Sequence, residues 1–469
     1  MSTISKNILW SSATSLLQVY TGSVVFIVLA KLMSLEDFGI LSFGFSLAAI
    51  LVICADFGFS LMIMKDFPRY ILDHKKYVSN SLFSKVLISI FVSVFAIVYL
   101  CLLYDKKWLK VGGLYMLFAV VSSFVVYFQS LLKVQNKFHK YTETTIIYAI
   151  GVTVVVLIYW FVDTGLVMLA FYLLICRVLQ LLWSTYLCRK SFNIRAFDIN
   201  MQKSLFKNSW SFGLHTVLGI FYFMIDTQII SIYLGAKEVA LYQAVFRIVL
   251  VLLIASEMLS NVLLPYLSFK YAKGENIASL VSRLLLYLII LGCSMFLLFT
   301  SFGSFIIQFL YTEEYLFAVP LVAPLSIVII IRTVCSLLGN ILTISDRQVY
   351  RVITVFVSLI ASVVLNFILI PKYGIIAAAW SSVLVHICMF GMYLFYSKKE
   401  IKGIKLFSVD SILVLISAVL IFFGVKLFSS EGILIHTLAI VFWLIGIFFI
   451  MKRNENFNIL LRLLKDKGV

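Results

Sequence analysis

The sequence predicts an all-α membrane protein that crosses the bilayer many times. Of its 469 residues, 63% are hydrophobic and 13% are charged, whereas a soluble globular domain carries about 25% charged residues. Five prolines and 22 glycines leave long apolar runs. Each run is near the ~20 residues that a helix needs to cross ~30 Å of hydrocarbon. The alternating strands of a transmembrane barrel are not evident in the sequence.

Fourteen apolar runs are interpreted as transmembrane helices, and they divide the chain into five parts. Residues 1–188 form an N-terminal six-helix bundle, 189–208 a cytoplasmic interfacial linker, and 209–397 a second six-helix bundle. Residues 398–451 add helices 13 and 14, and 452–469 form a cytoplasmic amphipathic tail. The predicted spans are roughly 8–30, 39–63, 81–104, 111–132, 143–162, 166–188, 209–234, 239–267, 281–310, 317–343, 352–370, 375–397, 410–428 and 432–451.

The start of the second bundle repeats the start of the first bundle without a gap. Polar and charged residues recur at a constant distance of 201 residues. They are Lys6-Asn7 with Lys207-Asn208, Asp37 with Glu238, and Asp56 with Glu257. Each copy holds an even number of spans, so both copies have the same orientation in the membrane. We therefore expect two bundles related by a pseudo-two-fold axis along the membrane normal, with a central cavity between them.

The basic residues are concentrated in alternate loops. The net charge of +17 could indicate nucleic-acid binding, but most of the 38 lysines and arginines lie in the loops on the side of the N-terminus. This asymmetry follows the positive-inside rule and places both termini in the cytoplasm. Topology and contact with anionic membrane lipids therefore explain the charge better than a nucleic-acid partner does.

Several ionisable residues lie inside the predicted spans, where insertion costs about 2.5 to 3.5 kcal/mol each and where such residues are usually functional. Four cations are predicted to line the cavity and bind substrate: Arg177, Arg247, Arg332 and Lys85. A guanidinium group keeps its charge and grips phosphate oxygens in pairs, so these residues indicate an anionic cargo. The structural alternative is that they pair with acids and hold helices together, for example Arg247 with Glu257 or Asp226.

Four further residues are candidates for gating or ion coupling: Asp56, Asp226, Glu257 and His215. Asp56 and Glu257 correspond in the repeat, and His215 shares one helical stripe with Asp226. Carboxylates inside a span can carry a proton or a cation, which leaves open coupling to a proton or sodium gradient. Salt bridges to the arginines are the favoured alternative, and a lone histidine is more often a hydrogen-bonded core residue.

Motifs of catalysis are absent from the sequence. It contains no P-loop, HExxH, GxSxG or Rossmann glycine pattern and no Cys/His set with metal-ligand spacing. We therefore expect no metal and no cofactor. The external loops are also too short to hold a catalytic domain. The sequence thus favours transport over enzymatic activity.

Four stretches of the chain carry a resemblance to a known family. They are Leu35-Glu36-Asp37-Phe38-Gly39, Asp226-Thr227-Gln228-Ile229-Ile230 with Leu234-Gly235, Val239-Ala240-Leu241-Tyr242-Gln243-Ala244, and Pro371-Lys372-Tyr373-Gly374-Ile375-Ile376-Ala377-Ala378-Ala379. With the fourteen spans, they resemble the Wzx-type polysaccharide flippases of the MOP superfamily, which also holds MATE drug exporters and lipid II flippases. Ala240 stands where that family usually has glycine.

The resemblance implies a MATE-like fold and a lipid-linked cargo. The cargo would be an undecaprenyl-pyrophosphate-linked oligosaccharide repeat unit, moved by alternating access from the inner to the outer leaflet of the bacterial cytoplasmic membrane. It would serve O-antigen, capsule or exopolysaccharide assembly, with a polysaccharide polymerase and a chain-length regulator as partners.

Two other functions remain as alternatives. A cation-coupled multidrug exporter of the MATE type should have an acidic pocket, which the arginines inside the spans argue against. A membrane-embedded polysaccharide polymerase would need a large catalytic loop, and the external loops are too short for one.

Overall fold

The chain folds into α-helices joined by short turns. The computed structural model describes residues 3–67, 74–162, 164–193, 198–406, 408–427 and 433–453. The helices are α1 Thr3–Val19, α2 Val25–Leu32, α3 Leu35–Asp56, α4 Phe59–Asp66, α5 His74–Leu103, α6 Lys106–Val134, α7 Phe138–Val162, α8 Leu166–Cys188, α9 Ile199–Tyr233, α10 Ala236–Ala272, α11 Ala278–Leu310, α12 Val322–Ile344, α13 Gln348–Tyr373, α14 Ile375–Glu400, α15 Val409–Leu427 and α16 Ile433–Arg453. A π-helical turn, Tyr20–Val24, joins α1 to α2, and a 3-10 segment, Glu313–Leu321, precedes α12.

The helices agree with the predicted spans. Within the described ranges, thirteen helical segments are long and apolar enough to cross a membrane. The fourteenth predicted span corresponds to α16, whose apolar part Ile435–Ile450 is shorter than the others. The prediction of an all-α polytopic membrane protein is therefore confirmed, while the count of fourteen depends on α16.

The helices pack into two compact units. The first combines Met1–Gln243 with Asn366–Gly374, and the second combines Ala244–Leu365 with Ile375–Val469. Two helices, α10 and α13, thus contribute to both units. The boundary predicted at 189–208 stays a prediction. Helix α9 already begins at Ile199, inside the predicted linker, and belongs to the first unit.

The stretch Leu35–Gly39 begins helix α3, and several of its contacts favour the start of a helix there. The Ser34 hydroxyl accepts a hydrogen bond from the Asp37 amide at 3.2 Å, which caps the helix. Lys107 forms an ion pair with Asp37 at 2.9 Å. The acidic side chain lies where the helix dipole is positive, and this favours the start of the helix there.

Gly39 allows two helices of the first unit to touch. A Cβ atom at this position would overlap the backbone carbonyl of Ala236, the first residue of α10. A backbone carbonyl cannot move aside as a flexible side chain can. Glycine is therefore required by this close approach.

The second predicted span is broken after Asp56. Phe57 and Gly58 adopt left-handed conformations with φ of 46° and 80°, and α4 restarts the helix at Phe59. A positive φ is energetically costly for a residue that carries a side chain, such as Phe57. Glycine does not have this cost, so Gly58 adopts the conformation easily. Glu257, which corresponds to Asp56 in the sequence repeat, instead lies inside the continuous helix α10. The two copies therefore differ at this position.

Candidate functional site

Asp56 and Lys85 form a buried ion pair in the first unit. The Lys85 Nζ lies 2.8 Å from the Asp56 Oδ1, and the two side chains are 0% and 9% exposed. The ammonium group also donates to the Ala55 carbonyl at 3.3 Å. The Asp56 carboxylate accepts hydrogen bonds from the amide and the hydroxyl of Ser60, in the first turn of α4, at 3.2 and 2.5 Å. The helix break thus positions the carboxylate, and the pair is neutral as a whole.

A polar network continues from this pair along α5 to the start of α9. Ser84 hydrogen-bonds Gln202, whose amide donates to the carbonyl and side chain of Asn80 at 2.9 and 3.1 Å. Asn80 accepts from the Asp198 amide at 2.8 Å, and Asp198 pairs with Lys76 at 2.7 Å. The network fixes the position of α9 relative to α5 in the first unit.

Asp226 lies among hydrogen-bond donors from two other helices. Its carboxylate accepts from the Tyr242 hydroxyl of α10 at 3.0 Å and from the Asn366 amide of α13 at 2.6 Å. All three residues are buried. The adjacent Thr227 accepts from the Gln243 amide at 2.5 Å. Hydrogen bonds to the carboxylate favour its charged form, so these contacts from α10 and α13 stabilise Asp226 inside the first unit.

Gln228 and Ser231 follow Asp226 and Thr227 on α9, and these four residues form the polar row of α9. Gln228 donates to the Ser46 hydroxyl at 2.5 Å and accepts from the Tyr99 hydroxyl at 3.0 Å. The hydroxyls of Tyr104 and Ser231 lie 2.7 Å apart. Each polar group of the row therefore has a partner inside the first unit.

An apolar groove of about 630 Å³ lies beside this row, between α3, α5 and α9. Its walls include Leu51, Val92 and Phe221, and the bonded pair Tyr99 and Gln228 lines it as well. Phe91 and Phe95, also on its wall, are strongly exposed on α5. Hydrocarbon is the chemical class that such walls accept without leaving polar groups unsatisfied.

Arg332 and Glu257 meet in the second unit. Their Nη2 and Oε1 atoms lie 3.4 Å apart, and the side chains are 16% and 54% exposed. One turn further, the hydroxyls of Ser260 and Ser336 lie 2.8 Å apart, and the Asn340 amide donates to the Ser260 carbonyl at 3.3 Å. These contacts form a polar seam between α10 and α12.

Arg351 extends the seam to α13 and was missed from the sequence. Its Nη1 donates to the Thr343 hydroxyl at 3.0 Å, and Gly339 leaves room beside its Nε. The span predicted from the sequence starts at residue 352, one residue after this cation. The structure starts α13 at Gln348, which places Arg351 in the first turn of that helix.

Arg177 is held inside the first unit by aromatic rings. Its guanidinium carbon lies 3.8 Å from the ring centre of Tyr148 on α7 and 4.9 Å from that of Phe118 on α6. Its Nη1 donates to Gln180 at 2.7 Å. Aromatic faces stabilise a guanidinium group and reduce the cost of placing it in a span.

Arg247 lies on α10, half-buried, in the second unit. Burial raises the pKa of Tyr311 between α11 and α12, and the positive charge of the nearby Arg247 opposes that rise. His215 belongs to α9, but its side chain is outside the described residues.

The structure therefore forms two acid–cation pairs from the residues singled out in the sequence. Lys85 with Asp56, and Arg332 with Glu257, each join a predicted substrate-binding cation to a predicted coupling acid. The functional roles of these residues stay predictions. Asn366 and Tyr242, which donate hydrogen bonds to Asp226, were not among the predicted site residues. An isolated asparagine in the apolar run of α13 is the signal that could have found this contact.

Known proteins resemble the chain in sequence and in fold. The probable low-salt glycan biosynthesis flippase Agl15 of Haloferax volcanii is 24% identical over 218 residues, which are 46% of each chain. The chain spans about half the length of the curated relatives that it matches, 57% in one and 46% in the other.

Among solved structures, the lipid II flippase MurJ in an inward closed conformation matches with a TM-score of 0.76 and 16% identity, over 94% of this chain and 99% of that chain. An inward-facing MATE multidrug transporter of the MOP superfamily matches with a TM-score of 0.64 and 11% identity, over 84% and 98%. These matches confirm the MATE-like fold class.

The family described as polysaccharide biosynthesis protein matches residues 4–271, which is more than half of the chain. This region includes the ion pair of Asp56 and Lys85 and the polar row of α9. The chain therefore belongs to the family of polysaccharide biosynthesis proteins.

Proposed function

We propose that this protein is a flippase that moves lipid-linked oligosaccharides from one leaflet of a membrane to the other. Three findings support the proposal: the polysaccharide biosynthesis family, the fold shared with a lipid II flippase, and cations inside the membrane spans. An amphiphilic glycolipid needs a path for its charged head and an apolar surface for its tail. The protein has candidate residues for both.

The observation that carries the proposal is the ion pair of Arg332 and Glu257. A separation of 3.4 Å and a half-exposed carboxylate make this contact looser than the buried pair of Lys85 and Asp56. A guanidinium group with such a partner can exchange the carboxylate for phosphate oxygens, which offer the same fork-shaped contact. Arg332 is therefore our leading candidate for binding the phosphate of the cargo, with Arg247 and Arg177 as the other predicted cations.

The proposed cargo has a lipid carrier and an oligosaccharide head, and it crosses the membrane in one direction. We propose undecaprenyl pyrophosphate as the carrier and an oligosaccharide repeat unit of O-antigen, capsule or exopolysaccharide as the head. The unit passes from the inner to the outer leaflet of a bacterial cytoplasmic membrane by alternating access. A polysaccharide polymerase and a chain-length regulator then act on the product and are the proposed partners.

Substitution of Arg332 tests this proposal. We expect Arg332→Ala to lower the flipping rate by about tenfold or more, since a lost charge-assisted contact is worth ~1.5 to 3 kcal/mol. Arg332→Lys should retain part of the rate, because it keeps the charge and loses the fork. The measurement is transfer of a fluorescent polyprenyl-pyrophosphate oligosaccharide across proteoliposomes.

Arg347→Ala is the matched control. Arg347 pairs with Glu400 at 3.2 Å near the end of α12 and is 56% exposed, so its loss should leave the rate within about twofold. A wild-type flipping rate in Arg332→Ala would refute the role of Arg332. Drug export together with an absence of glycolipid transfer in the wild-type protein would instead favour the multidrug exporter.

We also propose that Asp226 couples transport to an ion gradient. It is a buried carboxylate that neutral donors from Tyr242 and Asn366 hold in place. Exchange of a proton or sodium ion at this position would change contacts between α9, α10 and α13. Such a change is one way to bias a transporter between two states.

Asp226→Asn should make the flipping rate independent of the gradient. Proteoliposomes with either a sodium or a proton gradient, each set with the other ion balanced, will show which ion accelerates the wild-type protein. The control is Asp105→Asn, which removes an exposed carboxylate between α5 and α6. Persistence of the acceleration in Asp226→Asn would rule out coupling at this residue.

A further inference from the structure

A pocket of about 460 Å³ lies in the second unit where two membrane spans begin. Helix α11 starts at Ala278 and helix α15 starts at Val409. The pocket lies between the first turns of α11 and residues 402, 403, 405 and 408, which precede α15. The first N–H groups of a helix have no partner within that helix, and they make its start electropositive.

Three cations line this pocket: Arg283, Lys402 and Lys405. All three are exposed, and among the described residues none of them takes part in an ion pair. The carboxylate of Asp410 also lines the pocket, so the excess is positive. Cations that converge on a concave site without enough acids to pair them are complementary to an anion.

Hydrogen bonds hold the walls of the pocket together. The Ser282 hydroxyl donates to the Ala278 carbonyl at 2.7 Å and accepts from the Lys405 amide at 2.9 Å. The Asn276 side chain accepts from the Ala278 amide at 3.0 Å. The segment that carries two of the cations is thereby fixed to α11. The site is therefore built before any ligand arrives, and this lowers the entropic cost of binding.

Apolar side chains lie in and near the pocket. Leu286 lines it, and Ile412 and Ile416, which are exposed on α15, follow the lining residue Ser408 by four and eight residues, the spacing of one helical face. A free anion would use the cations alone. A molecule with a phosphate head and hydrocarbon chains would use the cations and this apolar surface together.

We propose that this pocket binds the phosphate head of an anionic phospholipid. The head contacts Arg283, Lys402 and Lys405, and an acyl chain follows the exposed side of α15. This inference is independent of the proposed flippase activity, because none of the residues of the pocket belongs to the polar seam or to the polar row of α9.

The test uses the full-length protein in phosphatidylcholine nanodiscs that contain a minor fraction of phosphatidylglycerol. Native mass spectrometry measures the phosphatidylglycerol that stays bound to the protein after the protein is released from the nanodisc. The variant R283Q/K402Q/K405Q should weaken retention on the order of 100-fold, since each cation near a lipid head contributes about fivefold. Asp410→Asn should increase retention, because it removes a negative charge from the pocket.

The matched control removes the same number of charges elsewhere. K137Q/K140Q/K190Q neutralises three lysines of the first unit and should leave phosphatidylglycerol retention unchanged. Equal losses in both triple variants, or equal retention in the wild-type protein and R283Q/K402Q/K405Q, would overturn the site. Lower retention in Asp410→Asn would also contradict it.

A second measurement separates a lipid head from a free anion. Inorganic phosphate is titrated into the protein in a neutral detergent, and the thermal unfolding temperature is recorded. We expect a clear rise with phosphatidylglycerol and none with inorganic phosphate. A rise of the same size with phosphate, lost in R283Q/K402Q/K405Q, would replace the lipid by a soluble phosphate ligand.

Discussion

Lys85 is stabilised in the first unit by several neighbours at once. Its ammonium group contacts the Asp56 carboxylate and the Ala55 carbonyl, and the rings of Phe124 and Tyr127 lie 5.5 and 5.9 Å away. A charge removed from water is costly unless hydrogen bonds and an opposite charge compensate it. The pair is therefore stable only while both partners are present.

Removal of Lys85 alone should destabilise the protein strongly. We expect Lys85→Met to lower the free energy of unfolding by about 3 to 5 kcal/mol, because Asp56 would remain buried with no opposite charge. The double variant Lys85→Met with Asp56→Asn should recover a large part of the loss. Reversible denaturation in bicelles, followed by circular dichroism, measures both.

Lys107→Met provides the comparison for this experiment. Lys107 pairs with Glu36 and Asp37 but is 48% exposed, so its loss should cost at most about 1 kcal/mol. Equal unfolding free energies for Lys85→Met and Lys107→Met would mean that burial does not determine the strength of the pair.

At the scale of helices, one face of α5 changes from polar to apolar along its length. Asn80 and Ser84 belong to the polar network, and Phe91 and Phe95, seven and eleven residues after Ser84, continue that face and are exposed. Above the network, α5 separates enough from α3 and α9 to leave the apolar groove. We propose that the hydrocarbon part of the cargo uses this groove, because its walls are apolar and lie within membrane spans.

A bulky residue in the groove should slow transport. Val92 lines the groove, and Val94 on the same helix is exposed outside it. We expect Val92→Trp to reduce the rate of glycolipid flipping by about tenfold, the effect of ~1.4 kcal/mol, and Val94→Trp to leave it near the wild-type rate. Equal rates in the two tryptophan variants would remove the groove from the transport path.

At the scale of the molecule, the location of the C-terminus depends on α16. Both termini lie on one side only if the number of spans is even. Helix α16 has 21 residues and is therefore ~31 Å long at ~1.5 Å per residue. This length matches the ~30 Å of hydrocarbon in a bilayer. We therefore expect α16 to cross the membrane.

Reporter fusions show on which side of the membrane the C-terminus lies. A green fluorescent protein fused after Val469 should fluoresce, which places the C-terminus in the cytoplasm together with the N-terminus. A fusion after Lys399, before α15, should fluoresce whether or not α16 crosses, and it serves as the reference. Alkaline phosphatase activity of a fusion after Val469, without fluorescence, would show thirteen crossings.

The all-α class of the chain and the approximate place of each span can be predicted from hydropathy along the sequence. Hydrophobic runs decide this because unpaired backbone groups cannot enter hydrocarbon, so each run must become a helix. The same rule marked Asp56, Lys85, Arg332 and Glu257 as unusual, since charges in a span are costly. Their unusual positions inside apolar runs are visible in the sequence.

Which of these residues contact one another depends on how the helices pack. Lys85 pairs with Asp56 across two helices, and Asp226 finds Asn366, which is 140 residues away in the chain. Helical periodicity assigns a residue to one face of its own helix but carries no information about the helix that packs there. The break after Asp56 likewise depends on long-range contacts, because buried Ser60 and Lys85 hold the carboxylate and stabilise a turn that local sequence alone does not require.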